Sequence, residues 1–197
     1  GKSDPTRFSW DGPAFTEWLD DVLEGLGVEK TVLAGMSLGG WATLRYAIDR
    51  PERVMAAVTI VPSGIQPPRL AFILRAIGYS FLGDWGRDRL KDYIFQGGQF
   101  PDDLDRFLTL VGKHFNFRTG APPLFTDEAL QSLSMPVLLI AGEDDVMLDT
   151  PKTADRMGAN VSYLTVRIYA GDGHATINTA TDVLAFLQAQ ELVCQAG

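Results

Sequence analysis

One serine and one histidine lie in glycine-rich turns that follow apolar runs, and such a pair could carry nucleophilic catalysis. Ser37 stands in the pattern Gly-x-Ser-x-Gly, between an apolar run that ends at Gly35 and a helical pattern that begins at Leu38. Glycines at these spacings permit a sharp strand-to-helix turn in which the serine takes a strained conformation. The turn also places the serine oxygen at a helix N-terminus, where free N–H groups favour negative charge. The short pattern alone is weak evidence, because an ordinary glycine-rich turn can also contain it.

A serine nucleophile needs a general base, and the sequence contains two histidines. His174 lies in a glycine-bracketed loop after an apolar run, which favours a catalytic role, whereas His114 lies among aromatic residues, where packing or surface exposure fits better. The base in turn needs a carboxylate that holds its tautomer. Glu143, Asp144 and Asp145 follow another apolar run, and at most one of them can face the imidazole. The residues alone leave that choice open.

The elements that must position these residues alternate between strands and helices. Strand-like apolar runs cover 31–35, 54–61, 136–141 and 161–170, and helical patterns cover 13–26, 38–49, 151–157 and a last segment around 183–187. Continuous apolar strands are typical of a parallel sheet that is buried on both faces. We therefore predict an α/β fold with a mostly parallel sheet and helices on both faces. Ligands bind outside the carboxyl ends of such strands, where Ser37, Asp145 and His174 all lie.

Residues 62–125 have a different character and predict an inserted helical cap, or lid, between the core segments 1–61 and 126–197. Helical patterns cover 70–81, 85–95 and 104–111, and this segment holds eleven of the twenty aromatic residues. An apolar inner wall would favour an apolar or aromatic acyl substrate. The alternative is that the aromatic rings only build a satellite core. The low charge of 70–82 also permits contact with a membrane surface. The candidate pocket residues are Met36, Phe72, Phe81, Phe107 and Phe115.

Composition excludes several classes of protein. The 197 residues are 46% hydrophobic, which predicts a globular fold, and the net charge of −8 argues against nucleic acid as a partner. No apolar run reaches the roughly 20 residues of a transmembrane helix, and no signal-peptide pattern is present. The single cysteine, Cys194, cannot form an internal disulfide, which suits a cytoplasmic location. We do not expect Gly1-Lys2-Ser3 to be the end of a phosphate-binding loop, because such a loop needs a preceding strand and glycine.

Three motifs in this chain, taken in order, resemble the α/β-hydrolase superfamily. They are G-M-S-L-G-G around Ser37, P-V-L-L-I-A-G-E-D-D ending at Asp145, and G-D-G-H ending at His174. The resemblance covers essentially the whole chain and implies that Asp145 is the acid, with Asp144 as the fallback. It also implies a helical cap, a first oxyanion-hole N–H at Leu38, carboxylic esters as substrates, and neither cofactor nor metal. A serine nucleophile argues against dehalogenases and epoxide hydrolases of the family but leaves its carbon–carbon bond hydrolases open.

The same resemblance implies an N-terminally incomplete fold. In the family, four strands and the loop that supplies the second oxyanion-hole N–H would precede residue 1. Thr31–Gly35 would then be an apolar edge strand, and we expect it to promote self-association. Losing one oxyanion donor typically costs about 10² to 10³ in rate. The rival hypothesis is therefore a catalytically impaired fragment that acts as a binding or association module.

Overall fold

The computed structural model describes residues 6–95, 102–115, 120–176 and 178–192, and its strands form one parallel sheet. The sheet order is β1 (Thr31–Met36), β2 (Val54–Ile60), β3 (Val137–Gly142) and β4 (Leu164–Tyr169). The helices are α1 (Ala14–Gly25), α2 (Leu38–Asp49), α3 (Leu70–Ser80), α4 (Gly83–Ile94), α5 (Asp102–His114), α6 (Asp127–Gln131), α7 (Thr150–Asn160) and α8 (Ala180–Ala189). The predicted α/β class with a parallel sheet is confirmed. Gly1-Lys2-Ser3 and Cys194 lie outside the described residues.

Several predicted boundaries are wrong by a few residues. The strand expected from Val161 begins only at Leu164, because α7 continues to Asn160 and Val161 caps it, donating its N–H to the Met157 carbonyl. Helix α4 begins at Gly83, ahead of the predicted start. Helix α6 was not predicted; it has only five residues and is capped by the side chain of Thr126.

Alternating side chains of the buried strands divide the core between the two faces of the sheet. Ala57, Val137 and Leu139 belong to a cluster with residues of α1, α2 and α7. Ala56, Val58, Leu138 and Ile140 pack instead against Phe186 and its neighbours on α8. Because successive strand residues point to opposite faces, one run of apolar residues covers both sides. The expected helices on both faces are therefore present.

A polar cluster fastens α1 to α2, the helix that follows the serine turn. The Asp20 carboxylate accepts hydrogen bonds from the Tyr46 hydroxyl at 2.7 Å, from Arg50 Nε at 3.0 Å and from Arg53 Nη1 at 3.3 Å. Burial, together with the bond to Asp20, raises the pKa of Tyr46 to about 12. Burial alone would raise the pKa of Asp20, but the Tyr46 bond and the two arginines hold it below its usual value. Asp20 thus links α1 to Tyr46 near the end of α2 and to the two arginines that follow this helix.

Helices α3, α4 and α5 lie between β2 and β3 in sequence, where the cap was predicted. Helix α3 packs against α4 but buries none of its own residues, and its exposed apolar side chains include Leu70, Leu74 and Ile77. The division into core and cap subdomains stays a prediction. No helix in the described part of the chain is long and apolar enough to cross a membrane.

Strand β1 forms one edge of the sheet. Among the described residues it pairs only with β2, and Ala34 and Met36 are exposed. The edge position expected for Thr31–Gly35 is therefore observed. Self-association through this edge stays a prediction.

Candidate active site

Ser37 occupies a strained turn between β1 and α2. Its φ of 53° and ψ of −112° lie in a region that L residues other than glycine rarely adopt. Hydrogen bonds over-determine this conformation: the Ser37 N–H donates to the Ile60 carbonyl at 2.8 Å, and the Ser37 carbonyl accepts from Trp41 and Ser63, each at 3.1 Å. Strain of this kind costs on the order of 1–3 kcal/mol and clusters at functional sites. The Ser37 side chain does not cap α2, so its hydroxyl is available for other bonds.

Two glycines make the serine turn sterically possible. A Cβ at Gly35 would lie 2.1 Å from the carbonyl oxygen of Gly39, so any side chain there would displace the helix start. A Cβ at Gly40 would lie 2.9 Å from the Cβ of Pro62. Gly39 is the second glycine of the pattern, and a Cβ added there would meet nothing within 4 Å. Gly39 matters because its backbone lies so close to Gly35.

The structure brings Ser37, His174 and Asp145 into one hydrogen-bonded chain. His174 Nε2 lies 3.0 Å from Ser37 Oγ, and His174 Nδ1 lies 2.8 Å from Asp145 Oδ2. His174 and Asp145 are buried, with 7% and 1% of their surfaces exposed, while Ser37 is half-buried. The three side chains come from the carboxyl ends of β4, β3 and β1, the edge at which ligands bind in parallel sheets.

Asp145 is held as an acceptor by backbone groups of its own loop. Its Oδ1 accepts the N–H of Met147 at 2.7 Å and that of Leu148 at 3.0 Å, which leaves Oδ2 for His174. Hydrogen bonds from N–H groups stabilise the ionised carboxylate. A carboxylate oxygen accepts, so the tautomer of His174 that this contact suits has its proton on Nδ1 and its free Nε2 towards the serine hydroxyl.

The neighbouring carboxylates do not take this place. Glu143 and Asp144 are exposed, and their N–H groups donate to the carbonyls of Tyr169 and Asp172, each at 2.9 Å. These bonds join the loop after β3 to the loop after β4. Glu143 and Asp144 thus help to hold the two loops together through their backbone. The fallback position, Asp144, has its side chain outside the buried hydrogen-bonded chain.

The remaining predicted site residues belong to the end of β1, to the start of α2, and to α3, α5 and the residues that follow these two helices. Leu38 is the first residue of α2, so its N–H has no acceptor within the helix. Met36 ends β1 and is exposed. Phe72 on α3 is half-buried, whereas Phe81, Phe107 and Phe115 are exposed. His114, set aside above, ends α5 and is also exposed.

One cavity in the described part of the chain is not lined by any of the predicted pocket residues. This cavity has a volume of about 410 Å³ and lies between α4 and α5; its lining includes Leu90, Ile94, Leu108 and Val111. The pocket assignment of Phe72 and the other aromatic residues therefore stays a prediction. Among the described residues, no group of three or more His, Cys, Asp or Glu side chains could hold a metal ion.

The fold and the site define an α/β-hydrolase. The chain belongs to the alpha/beta hydrolase family, whose sequence model matches residues 1–189.

Two carboxylesterases of Bacillus subtilis are among the relatives of this chain. It is 29% identical over 182 residues to the uncharacterized carboxylesterase nap and 30% identical over 174 residues to the carboxylesterase YbfK. These matches cover 88% and 81% of this chain, but only 60% and 56% of the relatives. The chain therefore spans less than two thirds of the length of either one.

The chain is also similar to a solved carboxylesterase structure and to a hydrolase with a different substrate. The crystal structure of carboxylesterase CesB (YbfK) superposes with a TM-score of 0.81 and 27% identity, covering 96% of this chain and 70% of that one. A 2-hydroxy-6-oxononadienedioate/2-hydroxy-6-oxononatrienedioate hydrolase of Paraburkholderia phymatum is 27% identical over 145 residues, which cover 64% of this chain and 50% of the relative.

Proposed function

We propose that this protein is a serine hydrolase that cleaves carboxylic esters with an apolar or aromatic acyl group. The observation that carries the proposal is the chain of two hydrogen bonds, 3.0 Å and 2.8 Å long, from Ser37 through His174 to Asp145. Ser37 itself stands in the kind of strained strand-to-helix turn that exposes a nucleophile. The two carboxylesterase relatives support ester hydrolysis as the reaction.

In the proposed mechanism, His174 Nε2 takes the proton of Ser37 Oγ as the oxygen attacks the ester carbonyl. Asp145 orients the imidazole and stabilises the imidazolium that forms. His174 then gives the proton to the leaving alkoxide, which releases the alcohol and leaves an acyl group on Ser37. A water molecule, deprotonated by His174 in the same way, hydrolyses this acyl-enzyme and releases the acid.

The developing oxyanion needs N–H donors, and the Leu38 N–H is the donor we propose. It lies at the first turn of α2, where the helix dipole also favours negative charge. We further propose that α3, α4 and α5 form a cap over the acyl group. Their many exposed apolar side chains support an apolar substrate. The cytoplasmic location stays a prediction.

The direct test is covalent labelling of Ser37 by a fluorophosphonate probe, together with turnover of an aryl ester. We expect the unchanged protein to be labelled at Ser37 alone and Ser37→Ala to lose both labelling and turnover. His174→Ala should lose them as well, because the hydroxyl then has no base. Ser63→Ala is the matched control, since among the described residues the bond of Ser63 to the serine turn comes from its N–H, which the substitution keeps. Equal labelling of His174→Ala would contradict the triad.

A second candidate is carbon–carbon bond hydrolysis with the same serine. The similarity to the 2-hydroxy-6-oxononadienedioate/2-hydroxy-6-oxononatrienedioate hydrolase of Paraburkholderia phymatum favours this candidate. The two functions separate when the protein is given an aryl ester and a dienoic ring-fission product in parallel. A higher kcat/KM for the ring-fission product would support the second candidate.

The third candidate is a binding or association module without turnover. The exposed edge of β1 favours it, because unpaired edges recruit other chains. Intact protein that binds apolar esters but turns none over, and that is not labelled at Ser37, would support it.

A further inference from the structure

The chain leaves the core for the helical insertion and returns to it at adjacent points. The Phe125 N–H donates to the Gly64 carbonyl at 2.8 Å, so the departing and returning segments are joined. We call residues 63–66 and 123–126 together the neck. The returning half also contacts α2, because Trp41 Nε1 donates to the Pro123 carbonyl at 3.1 Å and the Trp41 ring stacks on Phe125.

One arginine of the core reaches both halves of this neck. Arg156, on α7, donates from Nη1 to the Ile65 carbonyl and from Nη2 to the Phe125 carbonyl, the second at 2.6 Å. Its Nε donates to Asp127 Oδ1 at 2.9 Å. The Arg156 side chain is only 22% exposed. The rigid planar fork of a guanidinium suits this task, because it aims several donors at fixed acceptors at once.

The departing half of the neck is connected to the proposed catalytic residues. The Ser63 N–H donates to the Ser37 carbonyl at 3.1 Å. A few residues later, the Arg69 N–H donates to the Met147 carbonyl at 2.8 Å, and the Met147 N–H in turn donates to Asp145. The departing segment, from Ser63 to Arg69, is therefore bonded both to the serine turn and to the loop that carries Asp145.

We infer that Arg156 is a positioning residue that clamps the neck and thereby sets the orientation of α3, α4 and α5 over the site. It acts through the Ile65 and Phe125 carbonyls and does not touch the substrate. Its effect on acyl binding rests on the proposed function, whereas its hold on the neck does not.

Hydrogen exchange tests the hold on the neck directly. In Arg156→Met we expect amides of residues 63–70 and 123–127 to exchange on the order of tenfold faster, because two carbonyls lose a charged donor. Amides of β3 should keep their rates. Arg167→Met is the matched control, since Arg167 is an exposed arginine of β4 that donates to the carbonyl of its neighbour Val166 and pairs with half-buried Asp182. In Arg156→Lys, which keeps the charge but not the planar fork, the neck amides should exchange at rates between those of the unchanged protein and those of Arg156→Met.

The same variants separate positioning from general stability. The inference would be wrong if the neck amides exchanged no faster in Arg156→Met than in Arg167→Met. It would also be wrong if Arg156→Met accelerated exchange equally in the neck and in β3. If Arg156→Met does not fold, Arg156→Lys decides by the same comparison of the neck with β3.

Ester kinetics test the effect on acyl binding. We expect Arg156→Met to raise KM for a p-nitrophenyl octanoate about tenfold while kcat on the acetate changes less than about twofold. Faster neck exchange with an unchanged octanoate KM would overturn the role in acyl binding. If the unchanged protein hydrolyses no ester, the proposed function fails, and the exchange measurement still decides the clamp.

Discussion

Gly142, the last residue of β3, lies directly against the backbone of Asp172 in the loop that carries His174. A Cβ at Gly142 would be 2.3 Å from the carbonyl oxygens of both Asp172 and Gly173. The Gly142 carbonyl is also used, since it accepts the Thr150 hydroxyl at 2.6 Å. The loops that hold the proposed acid and base thus meet over a residue without a side chain, and this contact sets their separation.

We therefore expect Gly142→Ala to push His174 away from Asp145. Shifting the base by about 1 Å can cost about 10² in rate, so kcat should fall by roughly that factor. The probe-labelling rate of Ser37 should fall with it, while the circular dichroism spectrum stays native. Gly158→Ala is the control, because no atom lies within 4 Å of its Cβ position. Unchanged labelling in Gly142→Ala would show that the loops adjust without cost.

The sequence predicts the parallel sheet, its helices and the serine turn because these follow from local patterns. Apolar runs and glycine spacing act over a few residues. The neck contacts of Arg156 could not be found in this way, because its bonds to Ile65 and Phe125 join residues 91 and 31 positions apart. The contact of Gly142 with Asp172 was missed for the same reason. Nor could residue types distinguish Asp144 from Asp145, because burial and loop geometry separate them.

Asp145, rather than Asp144, should carry the acid role. Asp145→Asn removes the charge beside His174 and disfavours the Nδ1–H tautomer, and the equivalent change costs about 10⁴ in the serine protease triad. Asp144→Asn should change kcat by less than about tenfold, because Asp144 is exposed and the bond to His174 Nδ1 is made by Asp145. Steady-state turnover of an aryl ester by the two variants gives the answer. A collapse of activity in Asp144→Asn alone would shift the assignment by one residue.

The Asp20 cluster should make stability depend on pH. The pKa of Asp20 is lowered on folding, so the unfolded chain binds more protons and stability is lost as the pH falls. The contribution is complete above the ordinary carboxyl pKa of 3.8 and disappears as the pH passes down through the lowered value. Asp20→Asn should cost about 1–3 kcal/mol in urea unfolding at pH 7 and less at pH 3. Asp21→Asn is the control and should change the free energy of unfolding little, because Asp21 is exposed. If Asp20→Asn lowered the free energy of unfolding equally at pH 7 and pH 3, the prediction would be wrong.

The predicted cap pocket should appear as a preference for longer or aromatic acyl groups. Each methylene that the pocket buries is worth about 0.8 kcal/mol, or roughly fourfold in kcat/KM. A series of p-nitrophenyl esters from acetate to octanoate, with the benzoate, measures this slope. Phe72→Ala should flatten it, whereas Phe8→Ala, which removes a ring that packs near Trp18, should not. A flat profile in the unchanged protein would favour the satellite core as the role of these aromatic residues.

The edge of β1 should promote self-association of this chain. Val32 and Leu33 are only partly buried there, and Ala34 is exposed, so the edge offers both backbone groups and apolar surface. Natural edge strands often carry lysine, because a charge opposes pairing with another chain. We expect Ala34→Lys to shift the sedimentation profile towards the monomer, while Ala185→Lys, at an exposed position of α8, leaves it unchanged. A protein that sediments as a monomer at all concentrations before any substitution would contradict the prediction. Association that survives Ala34→Lys but disappears in Leu74→Lys would instead assign it to the exposed apolar side chains of α3.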